Sequence, residues 1–282
     1  MKHVKNILAV IGLVVVVGSL IFAVQSKSGD FVQAKSAEQG VENDKNVADG
    51  YRISAIEIPE DLNFAGEAVP LDDPEVLERV DREFLVNTYW QSNALLLMKR
   101  ANKYFPIIEP ILAKNGVPDD FKYLAVAESA LIDVASPKGA AGMWHFMRAT
   151  GREYGLEVNS NVDERYHIEK STQAACEYIN KWKKRFGTWT LTAASYNAGP
   201  GGVQKYMNIQ KVDNYYDLLL GQETGRYVFR ILALKEILSN PDKYGFEVGQ
   251  EDFYKTVPTF SVQVDTAVTS WADFAKLYEI NY

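Results

Sequence analysis

Eighteen residues without a charge, Ile7 to Val24, follow the positive stretch Met1-Lys2-His3-Val4-Lys5 at the start of the chain. Such a run sits at the lower edge of a membrane span and is long for a signal-peptide core. Residues 1–25 therefore read as an uncleaved anchor, with Lys2 and Lys5 left inside and the rest exported. A cleaved signal peptide is the alternative reading. Residues 26–50 are polar, acidic and poor in aromatics, the pattern of a flexible tether. Residues 51–71 alternate weakly (Tyr51-Arg52-Ile53-Ser54-Ala55-Ile56-Glu57-Ile58) and predict an extended arm lying on the domain.

From Asp72 the apolar period becomes helical. Asp73 followed by Pro74 is a cap with proline in the first turn, and Val76, Val80 and Phe84 mark one buried stripe of a helix extending toward Arg100. A second helix is predicted near Phe105–Lys114, stopped by Asn115-Gly116. A third covers Asp119–Ile132, and Ser136–Gly142 reads as a loop. Ser171-Thr172 then predicts a helix cap, with Ala175, Tyr178, Ile179, Trp182 and Phe186 on the buried face and Gly187 at the end. Helices near Trp189–Asn197 and Thr224–Ser239 follow, ending at Gly199 and before Pro241. Strand-like alternation is confined to Thr259–Val264, ahead of a short helix around Trp271–Tyr278. The pattern predicts a mostly α domain over 72–245 and a small β/α tail over 246–282.

Composition narrows the function. The net charge of −7 is uneven: residues 30–75 hold twelve acidic and three basic side chains, whereas residues 76–282 come to about −1. A near-neutral folded part argues against a nucleic-acid partner, which calls for a basic face. Cys176 is the lone cysteine and reads as a small buried hydrophobe. His3, His145 and His167 are too scattered for metal-ligand spacing, so neither a metal nor another cofactor is indicated. Oligomeric state is not legible.

One carboxylate stands out. Phe121, Leu124, Ala125, Leu131 and Ile132 form the apolar stripe of the third helix, and Glu128 falls on that stripe. A carboxylate so placed is paired, hydrogen-bonded or held protonated, and the protonated form can serve as a general acid. Read alone, a structural Glu is an equal explanation. Three segments sharpen the choice: Glu128-Ser129, Gly139-Ala140-Ala141-Gly142-Met143-Trp144-His145-Phe146-Met147, and Ala194-Ser195-Tyr196-Asn197-Ala198-Gly199-Pro200-Gly201.

In that order these segments resemble the lysozyme-like lytic transglycosylases of bacterial cell walls, the soluble lytic transglycosylase superfamily, and most of all its membrane-bound type D branch. The resemblance covers about residues 74–245. It takes in Val162-Asp163-Glu164-Arg165-Tyr166, Glu169-Lys170-Ser171-Thr172, Thr224-Gly225-Arg226-Tyr227-Val228 and Asn240-Pro241-Asp242-Lys243-Tyr244-Gly245-Phe246. It implies peptidoglycan glycan strands as the substrate, a periplasmic location and an inner-membrane anchor through residues 7–24. It implies Glu128 as the sole catalytic acid and base, cleaving between N-acetylmuramic acid and N-acetylglucosamine and leaving a 1,6-anhydro ring. Ser129, Gly142, His145, Met147, Tyr196 and Asn197 become candidate substrate-binding residues, with Tyr196 and Asn197 contacting the acid or the acetamido sugar. The tail from Phe260 is similar to the segment following the catalytic domain in this branch.

The residues agree with that implication. Ordinary glycosidases flank the bond with two carboxylates, and only Glu128 has a convincing apolar setting here; Asp133 falls roughly opposite on the helix. One acid suffices when the substrate supplies the nucleophile. Met143, Trp144, Phe146 and Met147 are the expected apolar wall that keeps Glu128 protonated. The family's usual Gln is His145 in this chain, and a protonated imidazole beside Glu128 would favour its ionised form and make activity more acid-sensitive. The rival readings are a goose-type muramidase, which hydrolyses the same bond, and a non-catalytic wall-binding scaffold, favoured by His145.

Overall fold

Asp73 opens the helical part as the sequence predicts: its carboxylate accepts the Glu75 N–H at 2.8 Å, and Pro74 occupies the first turn. The computed structural model describes residues 53–282, so the apolar run 7–24 and the tether 26–50 lie outside the described residues. No helix among the described residues is long and apolar enough to cross a membrane. The arm carries a hairpin of β1 (Asn63–Phe64) and β2 (Glu67–Ala68), turned by Ala65 and Gly66, both at positive φ. Leu62, Phe64 and Val69 bury their side chains in the main core, which fixes the arm to the domain.

Helix α1 (Pro74–Tyr89) ends at Trp90, and α2 (Gln91–Lys114) begins at once. Two expectations change here. The first helix does not continue to Arg100, and the second starts fourteen residues before Phe105. Pro106 and Pro110 lie inside α2, each deleting one backbone hydrogen bond; burial of Leu97, Met98, Ala101, Ile108 and Leu112 sustains the helix across them.

Helix α3 (Phe121–Ser129) is enclosed rather than striped, with every residue from Phe121 to Val126 buried. Even Lys122 is inside, held by Asp119 at 2.5 Å and Glu109 at 2.7 Å. The helix stops at Ser129, so Ile132 and Asp133 are off it and exposed. Helix α4 (Arg148–Glu153) follows the 139–147 loop and is not foreseen in the sequence.

Helix α5 (Ile168–Phe186) starts before the predicted Ser171-Thr172 cap. Both hydroxyls instead bond back to the Ile168 carbonyl, and Gly187, at φ 79°, ends the helix as anticipated. Helix α6 (Trp189–Ala198) begins where the Glu67 carboxylate of the arm accepts the Trp189 and Thr190 N–H groups at 2.5 and 2.9 Å. Helix α7 (Pro200–Gln210), unforeseen behind a Gly-Pro-Gly-Gly stretch, precedes α8 (Gln222–Ser239). Helix α8 is the hub: it packs on α1, α3 and α6 and buries Tyr227, Val228, Phe229, Ile231, Leu232, Leu234 and Ile237.

The fold is mostly α, as predicted. The strand expected over Thr259–Val264 does not form. That segment has no ladder partner among the described residues, and its side chains are exposed, so the alternation has no face to bury. The short helix does form, as α9 (Trp271–Leu277).

Candidate active site

Glu128 is the penultimate residue of α3, and the chain turns away directly after it. Ala130 and Leu131 both take left-handed backbone conformations at φ 54°, which costs a non-glycine residue roughly 1–2 kcal/mol each. Ser129 supports that turn: its hydroxyl donates to the Ala125 carbonyl and accepts the Leu131 N–H, both at 3.1 Å. The Glu128 side chain thereby leaves the helix end for a cleft instead of facing the core, and 15 % of it stays exposed.

Tyr227, buried in α8, donates its phenol to Glu128 Oε1. Burial first, and then the neighbouring carboxylate, push the Tyr227 phenol well above its ordinary value. The phenol therefore stays protonated and remains a donor. Across the cleft, His145 Nδ1 stands 3.7 Å from Glu128 Oε2. His145 is itself left-handed, at φ 48°, so two strained turns converge on this carboxylate.

Two clefts meet at His145. The first, about 410 Å³, is lined by Glu83, Asn87, Trp90, Glu128, Ser129, His145, Arg226 and Arg230 among others. The second, about 350 Å³, is lined by His145, Phe146, Met147, Glu153, Tyr154, Tyr178, Trp182, Tyr196 and Asn197, with the Ala198–Pro200 turn. The predicted site residues thus divide. Glu128 and Ser129 belong to the first cleft, Met147, Tyr196 and Asn197 to the second, and His145 to both.

Gly142 lines neither. At φ 74°, it packs so closely on the Arg165 backbone that a Cβ would lie 1.9 Å from that carbonyl oxygen. Arg165 ties the loop down: its guanidinium donates to Asp163 Oδ1 at 2.9 Å and Oδ2 at 2.6 Å, and to the Gly139 and Phe146 carbonyls at 2.8 and 2.9 Å. Gly142 and Arg165 therefore set the position of His145 from behind.

The expected wall is also rearranged. Met143 and Trp144 are core residues and line neither cleft; the Trp144 indole donates to Thr172 Oγ1 at 2.9 Å. Phe146 joins Tyr178 and Tyr196 in an aromatic cluster that lines the second cleft. The apolar surroundings of Glu128 come from Val86, Leu97, Val126 and Leu234. Nor do the Tyr196 and Asn197 side chains hydrogen-bond to Glu128. The Tyr196 phenol donates to the Trp144 carbonyl at 2.7 Å, and Asn197 binds Thr224 at 2.8 Å and Glu223 at 3.3 Å. Both hold the loop and α8 in register.

Sequence reading missed Tyr227 as a partner of Glu128 and missed Glu83 altogether. Glu83 is 1 % exposed and accepts Arg82 Nη1 and Arg226 Nε, each at 2.6 Å, with Arg230 Nε at 4.0 Å. Arg226 in the Thr224–Val228 motif and Arg230 after it offered the only signal. Cys176 behaves as expected: it is buried, and burial pushes its thiol up to about 12.

Comparison with known proteins fits this geometry. The family described as Transglycosylase SLT domain matches residues 105–218. Membrane-bound lytic murein transglycosylase D of Escherichia coli K12 is 31% identical over 222 residues, covering 76% of this chain and 48% of that protein. The same protein from Escherichia coli O6:H1 matches to the same extent. The chain thus spans about half the length of the curated relatives it matches. The X-ray structure of an inactive mutant of the lytic transglycosylase Slt from Pseudomonas aeruginosa aligns at TM-score 0.39 and 20% identity, covering 54% of this chain and 26% of that one. Residues 105–218 thus resemble the transglycosylase SLT domain, and three quarters of the chain is similar to membrane-bound lytic murein transglycosylase D.

Proposed function

We propose that this chain is a peptidoglycan lytic transglycosylase, cleaving the β-1,4 bond from N-acetylmuramic acid to N-acetylglucosamine without water, with Glu128 as its only acid and base. The observation that carries the reading is the contrast among the carboxylates lining the two clefts. Glu83 is bound by Arg82 and Arg226, and Glu153 by Lys181 at 2.9 Å. Glu128 takes its hydrogen bond from a neutral phenol. A carboxylate bridged by guanidinium groups is a poor base or nucleophile, so the two-carboxylate arrangement of ordinary glycosidases has no second member here.

The reaction then balances on one residue. The Glu128 carboxyl gives its proton to the glycosidic oxygen as the C1–O bond breaks. The 6-hydroxyl of the muramoyl sugar attacks C1 and returns its proton to the Glu128 carboxylate, closing the 1,6-anhydro ring. Tyr227 positions Oε1 and leaves Oε2 facing the cleft. Ser129, His145, Met147, Tyr196 and Asn197 shape the walls; Ser129, Tyr196 and Asn197 act by holding the backbone turns, and Gly142 acts only through His145. Trp90, 59 % exposed on the rim, presents a ring face to a sugar.

The location follows from the substrate. Glycan strands lie outside the cytoplasm, so we place the enzyme in the periplasm of a double-membrane envelope, held to the inner membrane by residues 7–24. Digestion of purified peptidoglycan, with products read by mass spectrometry, tests the chemistry. Products one water lighter than hydrolysis fragments, lost with Glu128→Gln, are the expected result. Reducing-end products would establish a muramidase. Strand binding without cleavage would establish a scaffold.

A further inference from the structure

Three guanidinium groups surround the Glu83 carboxylate, and two of them, Arg226 and Arg230, line the first cleft. Arg82 and Arg226 saturate Glu83, with Arg226 bonding through both Nε (2.6 Å) and Nη2 (3.3 Å). Arg230 reaches Glu83 only at 4.0 Å, beyond hydrogen-bond range, with 29 % of its side chain exposed on the cleft wall. A half-buried guanidinium without a hydrogen-bond partner among the described residues is a ready partner for a second carboxylate, which its planar fork can bind through two parallel hydrogen bonds. The surplus is local. The chain as a whole carries −7, so a general attraction for acidic material does not explain it. Arg230 is one α-helical turn from Arg226 and three residues from Tyr227, the residue of α8 that donates to the acid.

Resting on the function proposed above, we infer that Arg230 binds a free carboxylate of the peptide stem carried by the muramic acid residue, so that the Glu83 cleft is the subsite for the peptide-bearing sugar. The site reads the peptide as well as the glycan. Glu83 serves as the fixed counter-charge that aligns Arg226 and lets it stand beside Arg230 in one wall.

The test compares the full chain with Arg230→Gln and Arg230→Lys on intact peptidoglycan strands and on strands stripped of their peptides. Arg230→Gln should lower kcat/KM on peptide-bearing strands by about tenfold to a hundredfold, the scale of a charge-assisted hydrogen bond, mainly through KM. On stripped strands it should change the rate less than about twofold, and Arg230→Lys should recover part of the loss. An equal loss on both substrates would overturn the inference and make Arg230 a positioning group for Tyr227 and Glu128. No loss on either would overturn it as well. Amidating the stem carboxylates of intact strands repeats the test on the wild-type chain, without relying on a variant that folds: its preference for peptide-bearing strands should vanish, and a preference that persists contradicts the inference. Failure of the wild type to cleave either substrate would instead remove the proposed function on which the inference rests.

Discussion

The two clefts that meet at His145 are built from different chemistry. The Glu128 cleft is a charged one, with Glu83, Arg226 and Arg230 in its wall and a single aromatic, Trp90, on its rim. The Tyr196 cleft is aromatic, walled by Phe146, Tyr154, Tyr178, Trp182 and Tyr196. In the first, the buried carboxylate Glu83 is oversupplied with donors. In the second, the Tyr154 hydroxyl and the Trp182 indole N–H are buried without a hydrogen-bond partner among the described residues. One side suits a ligand with acidic substituents, and the other suits flat sugar faces. A glycan strand lying across both would place its scissile bond at the junction, where Glu128 and His145 face each other at 3.7 Å.

That division depends on the loop carrying His145, so the sharpest way to break it is from behind. Gly142→Ala drives a Cβ to 1.9 Å from the Arg165 carbonyl and imposes a left-handed backbone on alanine. We expect a loss of about 3 kcal/mol from combined overpacking and strain, or a Tm lower by about 9 °C in a chain of this size, measured by calorimetry. Next is Tyr227→Phe, which removes the donor to Glu128 and leaves the charged cleft otherwise intact. Loss of a hydrogen bond to a carboxylate is worth about 2 kcal/mol, so kcat should fall about thirtyfold with KM little changed. An unchanged kcat would show that Tyr227 does not position the acid.

Acid weakens the same loop through Asp163. Its hydrogen bonds from Arg165 hold the carboxylate below its ordinary value of 3.8. A lowered folded value stabilises the fold above the unfolded value, and the contribution is lost as pH falls through the folded one. The Tm gap between wild type and Asp163→Asn should therefore be full above about pH 4 and shrink below it. The smallest effect is expected from His145→Gln. It replaces an imidazole 3.7 Å from Glu128 Oε2 with an amide while leaving Tyr227 in place, so kcat/KM should stay within a few-fold of wild type. A loss as large as that of Tyr227→Phe would show that His145 does more than shape the cleft wall.

How much of this was legible depends on how local each signal is. Asp73-Pro74, Gly187 and the α8 pattern are decided within a few residues, and the structure follows them. The predicted Phe105–Lys114 helix already took in Pro106 and Pro110; the start of α2 at Gln91 was hidden because Trp90 offers no capping side chain to mark the break from α1. Helix α7 was hidden by Gly199 at its cap and Gly201 and Gly202 in its first turn. Glu128 stood out for a reason that is only half right. It is an unusual carboxylate, yet it sits at a helix end facing a cleft, with the oily stripe replaced by a helix buried on nearly every side. Its partner Tyr227 lies 99 residues away, and Arg226 lies 143 residues from Glu83, so neither pairing has a spacing that periodicity could reveal. Gly142 was a candidate binding residue through the resemblance alone; the close approach here is to Arg165.

Turnover in water enriched in oxygen-18 tests the central claim most directly. If Glu128 acts alone and the muramoyl 6-hydroxyl is the nucleophile, the new muramoyl ends carry no label and are 1,6-anhydro sugars. Label at the new reducing ends would show that water attacks C1, which contradicts the single-carboxylate account.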